Sequence, residues 1–281
     1  MSKFDEVYLD LCEEILKKGE YSQNRTGTPT YNLHGKHLSF DLNEEFPILT
    51  TKFVAFKHAI LEMLWIFQQA SNDVRWLQER GITIWNEWQI DEYGKYNGIY
   101  YGKEFAGTIG TAYGYIVNKY DLMKKAIETI KKNPNDRRNI VNLFQYQFLE
   151  GGTLPPCVYM HQWLVNDNKL DNVVYQRSCD VPLGFPFNVT QYAVLTHLVA
   201  QVTGYEPGTL YWNLGTAHIY ENQVDGIKKQ LSRRKEAKPA PKLWINPKVK
   251  DFFAFDSSKE LKDIKLIGYE HLGKIPMPVS V

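Results

Sequence analysis

LPPCVYMHQW (154–163) and VYQRSCDVPLGFPFN (174–188) decide how this chain folds. Both are rich in β-branched and aromatic residues, so Val158–Val165 and Leu170–Cys179 read as strands. Asn166-Asp167-Asn168 is the turn that joins them. Beyond Cys179 the apolar spacing lengthens: Tyr192, Leu195, Val199 and Val202 mark a helix over Asn188–Val202, closed by Gly204. Pro155 and Pro156 precede Cys157, and their fixed φ and missing N–H hold the approach to its thiol rigid.

Outward from this centre, Ile140–Gln145 and Thr209–Leu214 read as further strands, and Ile219–Leu231 as a further helix. At the front, Phe4, Val7, Tyr8, Leu11, Cys12, Ile15 and Leu16 recur at helical spacing until Gly19, which places Cys12 in the core. The polar run SQNRTGTPT (22–30) is a loop, followed by a strand near Leu33–Leu42 and a helix over Ala55–Gln68. Ser71-Asn72-Asp73 offers the cap of a second helix. Glu92–Gly110, rich in Gly and Tyr, reads as an insertion loop, and a helix over Tyr120–Lys132 stops at Asn133-Pro134. The basic tract SRRKEAKPAPK (232–242) is a solvated connection. Helices mixed with strands, without strict βαβ alternation, predict an α+β fold in which a mixed sheet is layered with helices. No Pro/Gly/Ser-rich break separates two cores, so residues 1–281 are expected to form one domain.

A chain of 281 residues can bury a substantial core, and 14% aromatic content favours a packed protein with a lined pocket over a disordered one. The net charge of +1 gives no bulk attraction to nucleic acid or membrane, so an anionic ligand has to be held by a local arginine cluster. Three widely spaced cysteines make neither a disulfide framework nor a metal ligand set, and no metal is expected. Without a signal-like start or an apolar run of spanning length, the expected location is cytoplasmic.

Cys157 opens a strand at an edge where side chains are displayed; a buried structural thiol is the alternative. As a nucleophile it needs positive charge nearby, and Arg177, Arg137 and Arg138 are the candidates. With Arg25 these make four arginines in or beside loops, the set a phosphate clamp requires, although each alone reads as a surface charge. Asp180 is either a turn cap or a ligand group, and Asn188 either caps the next helix or meets the imide edge of a uracil. His218 and Tyr220 in GTAHIY are core residues or ribose-hydroxyl ligands. Glu62, inside AILEMLW, lies on an exposed face or is placed for proton transfer.

These segments, in this order, resemble the thymidylate synthase family, the folate-dependent enzymes that methylate dUMP. NRTGT, FPILTTK (46–52), ITIWNEW (82–88), the Arg137-Arg138 pair, LPPC, YQRSCDVPLGFPFN and GTAHIY carry the resemblance over essentially the whole chain. It implies that Cys157 attacks carbon 6 of the uracil ring and that 5,10-methylenetetrahydrofolate supplies the methylene group and a hydride. Arg25 and Arg177 would bind the phosphate, with Arg137 and Arg138 crossing from the other subunit of a homodimer formed through the sheet. Ser178 would join the nucleotide contacts, Asn188 would select uracil over cytosine, and His218 and Tyr220 would hold the 3′-hydroxyl. Asp180 would contact the pterin, and Lys52, Trp85, Trp88 and the Val281 carboxylate would complete the folate side. Glu62 and Tyr113 would serve the proton steps.

The chain departs from the family pattern at Thr216, where most members carry Asp, and at Val158, where many carry His. It also lacks the usual Arg after Tyr113, and its 92–110 loop is unusually rich in tyrosine. The nearest rival is a dUMP hydroxymethylase of the same fold, which admits water in place of hydride. A nucleotide-binding paralogue without turnover is a third reading, and the presence of Cys157, Glu62 and Tyr113 speaks against it.

Overall fold

In a computed structural model, which describes residues 2–280, the chain opens with helix α1 (Lys3–Lys18). The Ser2 hydroxyl caps it and Gly19 ends it, with Tyr8, Leu11, Cys12 and Ile15 on its buried stripe. Strands β1 (Glu20–Ser22) and β2 (Thr30–Asp41) pair across the polar loop, and α2 (Phe56–Phe67) follows. Helix α3 (Val74–Gln78) starts at the Asp73 cap, the last residue of the Ser71-Asn72-Asp73 run. The 92–110 segment is not wholly irregular: β3 (Lys95–Tyr96) and β4 (Ile99–Tyr100) form a small hairpin. Its turn is Asn97-Gly98, both at positive φ, the backbone that a two-residue hairpin loop demands.

The helix expected over Tyr120–Lys132 is α5 (Leu122–Lys132); Tyr120 instead ends a separate helix, α4 (Gly114–Tyr120), and Asp121 at φ 51° divides the two. Next come β5 (Ile140–Asn142) and α6 (Tyr146–Leu149). β5 ends short of Gln145 because the Asn142 side chain accepts from Phe144 N and turns the chain off the sheet. Strands β6 (Val158–Asn166) and β7 (Lys169–Asp180) are the expected hairpin, turning at Asp167 in the left-handed region. Helix α7 (Gly184–Thr203) starts four residues before Asn188, since Pro186 in a first turn obstructs nothing.

Strand β8 (Glu206–Tyr220) takes Ile219 and Tyr220 away from the helix expected over Ile219–Leu231, which begins only at Val224 as α8 (Val224–Ser232). Pairing decides this: β2 and β7 flank β8 along its length, from Thr209 opposite Asp41 to Tyr220 opposite Thr30. The antiparallel pair β9 (Lys242–Ile245) and β10 (Ile264–Ile267) is the last regular structure along the described residues.

The main sheet runs β1-β2-β8-β7-β6-β5, with β7 and β8 parallel and every other neighbour antiparallel. It is the mixed sheet of an α+β fold, and α7 is the crossover that a parallel pair requires. That helix is apolar on nearly all sides because it packs on β7, β8, α2 and α5 at once. Along β7, Leu170, Asn172, Val174 and Gln176 face this core, whereas Val173, Tyr175 and Arg177 face the other side and stay partly or fully exposed.

His161 on β6 is 1% exposed, and its ring packs against Phe67, Trp163 and Tyr192 at 5.5, 5.1 and 5.3 Å. Burial pushes its pKa down to about 3, against the ordinary 6.5. The unfolded chain therefore takes up a proton below pH 6.5 that the folded chain refuses until about pH 3. His161 thus costs stability as pH falls through this window. His161→Phe keeps the packing and removes the cost, so its stability relative to the parent should improve by about 2 kcal/mol between pH 7 and pH 5. Urea unfolding at the two pH values reads this; a pH-independent difference would sink it.

Candidate active site

Cys157 stands just ahead of β6, half-buried, and β7 presents Arg177 beside it. Arg177 N donates to Cys157 O at 2.9 Å, while its guanidinium donates to the carbonyls of Pro156 (3.0 Å) and Pro155 (2.8 Å). These prolines lie outside the sheet ladder, so their carbonyls are free to hold the arginine. Arg177 Nη2 then lies 3.9 Å from Cys157 Sγ. Burial pushes the thiol's pKa up, and the charges of Arg177 and Arg25 oppose that rise.

Arg25 is carried by a turn that the Asn24 side chain ties to Thr26 N and Thr28 O, with Gly27 at φ 74°. The end of β8 lies alongside: Tyr220 feels Arg25, Asp180 and Cys157, and its ring meets the buried His218 edge-on at 5.2 Å. Burial drives the His218 imidazole down to about 4, so it is neutral near pH 7. Asp180, paired in register with His218, accepts from Leu183 N and Gln223 Nε2; it is thus a turn cap that also faces the cluster. Burial raises its pKa, against the opposing pull of Lys52. Lys52 is itself buried, donating to Pro182 O, and desolvation lowers it to about 8. The irregular segment leading to it is pinned by buried Asp5, whose carboxylate accepts from the backbone and hydroxyls of Thr50 and Thr51.

Glu62 is not on an exposed face. At 7% exposure it receives Trp85 Nε1 on one oxygen and Gln191 Nε2 on the other, each at 2.5 Å. Desolvation outweighs both donors and raises its pKa to about 7. Gln191 also accepts from Asn188 Nδ2 (3.1 Å), and Asn188 Oδ1 accepts from Gln176 Nε2 (3.2 Å). Asn188 lies inside α7, so it caps nothing. Tyr113 sits at φ 49°, a strained backbone for a bulky residue, and its hydroxyl accepts from Cys157 N at 3.1 Å. Its ring meets Trp85 edge-on at 5.2 Å, and Trp88 adds a further edge at 5.6 Å.

Hydrogen bonds and charge coupling therefore join Cys157, Arg177, Arg25, Tyr113, Asp180 and Tyr220 in one cluster, and Trp85, packed on Tyr113, links it to Glu62 and, through Gln191, to Asn188. Ser178 follows Arg177 on β7, half-exposed. Arg137 and Arg138 are not assembled with them. Both are exposed on the turn before β5; Arg138 pairs with Asp136, and Arg137 O accepts from Gln162, five residues along β6 from Cys157. Five strand residues span about 17 Å, beyond the reach of an arginine side chain. Val281 lies outside the described residues. Gln176, Gln191 and Asp5 were not among the expected site residues. The signal for each was a polar side chain on an otherwise apolar face.

A cleft of about 930 Å³ opens beside Lys52, walled by Phe53, Phe56, Leu183, Phe187 and Tyr269 and edged by Lys57 and Lys274. Flat aromatic walls with lysines at the rim suit a long, planar, anionic ligand.

Comparison with known proteins agrees with this geometry. The thymidylate synthase family model matches residues 6–281. The chain is 48% identical to a thymidylate synthase of Clostridium beijerinckii, and 41% identical to thymidylate synthase 1 of Bacillus subtilis strain 168; each match covers all of both chains. It superposes on the solved thermostable thymidylate synthase A from Bacillus subtilis with a TM-score of 0.88, at 39% identity and with 99% of each chain covered. Family model, full-length relatives and superposed structure agree, and the chain belongs to the thymidylate synthase family.

Proposed function

We propose that this chain is an enzyme that converts dUMP to dTMP by reductive methylation at carbon 5, with 5,10-methylenetetrahydrofolate as its co-substrate. The observation that carries this is the Cys157 thiol beside the Arg177 guanidinium, which the carbonyls of Pro155 and Pro156 hold in place, with the Cys157 N–H bonded to Tyr113, whose ring packs on the Trp85 that donates to Glu62. Cys157 Sγ adds to carbon 6 of the ring, which makes carbon 5 nucleophilic, and leaves again when the methyl group is complete. Arg25 and Arg177 hold the nucleotide phosphate, His218 and Tyr220 the sugar hydroxyl, and Ser178 the same ligand's edge. Asn188 meets the uracil imide with one donor and one acceptor.

Glu62, titrating near neutrality, moves protons at the ring, and Tyr113 relays the proton lost from carbon 5. Burial keeps the Tyr113 phenol protonated, so it acts as a relay and not as a standing base. Bound 5,10-methylenetetrahydrofolate supplies the one-carbon unit and then a hydride. The aromatic cleft and its lysines suit that molecule, with Lys52 in the cleft's lining and Asp180 drawn on by the Lys52 charge; Trp85 and Trp88 serve the same ligand, and Val281, the remaining folate-side candidate, lies outside the described residues.

The active form is a homodimer joined through the sheet. Support comes from the outer face of β6 and β7, where Tyr159, Tyr175 and Phe144 line an open hollow of about 510 Å³ and Tyr146 is 82% exposed. Within one protomer Arg137 and Arg138 lie too far from Cys157 to share its ligand, so the partner subunit's Arg137 and the partner subunit's Arg138 complete the clamp. All residues serve one catalytic domain, a reading supported by the single buried cluster that runs from Phe4 to Ile264. The unpaired thiols of Cys12, Cys157 and Cys179 suit the reducing cytoplasm.

The test is product analysis with dUMP and methylenetetrahydrofolate. Expected is dTMP with an equal amount of dihydrofolate. Hydroxymethyl-dUMP with tetrahydrofolate would show water entering where hydride should.

A further inference from the structure

Asn188 and Glu62 are the two ends of one problem: reading the base and moving its protons. In this chain they are joined. Trp212 Nε1 donates to Gln176 Oε1 at 3.0 Å, Gln176 Nε2 to Asn188 Oδ1, Asn188 Nδ2 to Gln191 Oε1, and Gln191 Nε2 to Glu62 Oε2. Four hydrogen bonds thus run in one direction from β8 through β7 and α7 to α2.

The direction is not arbitrary. An indole nitrogen only donates, so Trp212 obliges Gln176 to present its oxygen, which turns the next two carboxamides in sequence. At the far end Gln191 Nε2 also donates to Ala59 O at 3.0 Å, and a carbonyl only accepts. One-way partners at both ends of the chain agree on the same polarity. Asn188 is left with one lone pair and one N–H for a ligand, in fixed places.

Gln191 is the joint. It sits three residues after Asn188 on α7, on the same helix face, and is 4% exposed. The titratable groups that face Glu62 are phenols, Tyr113 from the turn before α4 and Tyr192 from α7, and burial keeps both protonated. Glu62 therefore titrates against neutral neighbours, with Gln191 and Trp85 as its two hydrogen-bond donors.

We propose that Gln191 is a positioning residue that couples base recognition to proton handling, its single carboxamide fixing the orientation of Asn188 while holding Glu62 by a donated N–H. The inference rests on the roles given above to Asn188 and Glu62.

The test is Gln191→Met, which keeps the volume and removes all three side-chain bonds, those with Asn188, Glu62 and Ala59 O. Glu62 ionisation is followed by carbon-13 NMR of carboxyl-labelled protein, assigned by comparison with Glu62→Gln. Base choice is followed as the ratio of kcat/KM for dUMP over dCMP. The Glu62 midpoint should rise by about one pH unit, because its carboxylate loses a donor, and the ratio should fall about tenfold. A role in packing alone would lower the melting temperature and move neither. A shift in only one readout, or in none, would overturn the coupling. Should the methionine variant not fold, Gln191→Ser carries the same two expectations. The NMR titration needs no turnover, so a parent protein that makes no dTMP would overturn the proposed function, while an unmoved Glu62 midpoint would overturn the coupling by itself.

Discussion

Cys157→Ser should lower dTMP formation by about 10⁴-fold or more and leave dUMP binding nearly unchanged. A serine hydroxyl is far less acidic than a thiol, and the two arginines that act on this position cannot make up the difference. Burial already pushes the Cys157 thiol up, and Arg177, held 3.9 Å away by the proline carbonyls, is the largest opposing influence. Even with its pKa raised by burial, the thiol remains far more acidic and more nucleophilic than a serine hydroxyl at the same place. Binding is a separate matter. Arg177 is fixed by Pro155 O, Pro156 O and its own strand, none of which touches the sulfur's chemistry, so the phosphate site survives the exchange. Equilibrium dialysis of dUMP alongside a tritium-release assay separates the two effects. Turnover at the parent rate would mean that another group attacks the ring.

What could be read from the residues alone was what local chemistry dictates. Asn166-Asp167-Asn168 made the central turn because those side chains tolerate the left-handed backbone that Asp167 adopts. Gly204 closed α7 at φ 85° for the same reason. Glu62 stood out because a carboxylate inside AILEMLW has few ordinary explanations, and it proved to be buried between two donors.

What could not be read depended on distant partners. β8 is 15 residues long because β2 and β7 pair with both of its edges, and nothing near Ile219 announces that. Helix α4, which packs on α2, has no counterpart among the elements expected from the sequence. The link from Gln191 to Glu62 spans 129 residues, so neither segment carries a trace of it. Arg137 and Arg138 show the same limit from the other side. Their residue type suggested a phosphate ligand, yet their place beside β5 separates them from Cys157 within one chain.

Asn188→Asp should move the dUMP:dCMP preference towards dCMP by about 10³-fold. The polarity of the amide chain explains why. Asn188 Oδ1 is fixed by Gln176 Nε2 and its Nδ2 by Gln191 Oε1, so the amide keeps one N–H for the ring's position 4. A carboxylate there would face the Gln191 oxygen, acceptor against acceptor, and would raise its own pKa to escape. If it takes a proton, that proton goes to Gln191 Oε1, the group left without a donor. In either charge state the atom turned towards position 4 then accepts where the amide donated. Uracil presents an oxygen at that position and loses its partner; cytosine presents an amino group and gains one. Position 3 still meets the oxygen held by Gln176, which suits the N–H of uracil and not the bare nitrogen of cytosine, so the exchange cannot reach the activity of the parent pair. The change should appear mainly as a collapse in kcat/KM for dUMP, with a smaller rise for dCMP. An unchanged ratio would mean that Asn188 does not read the base, and that the one-way chain from Trp212 ends in a structural contact.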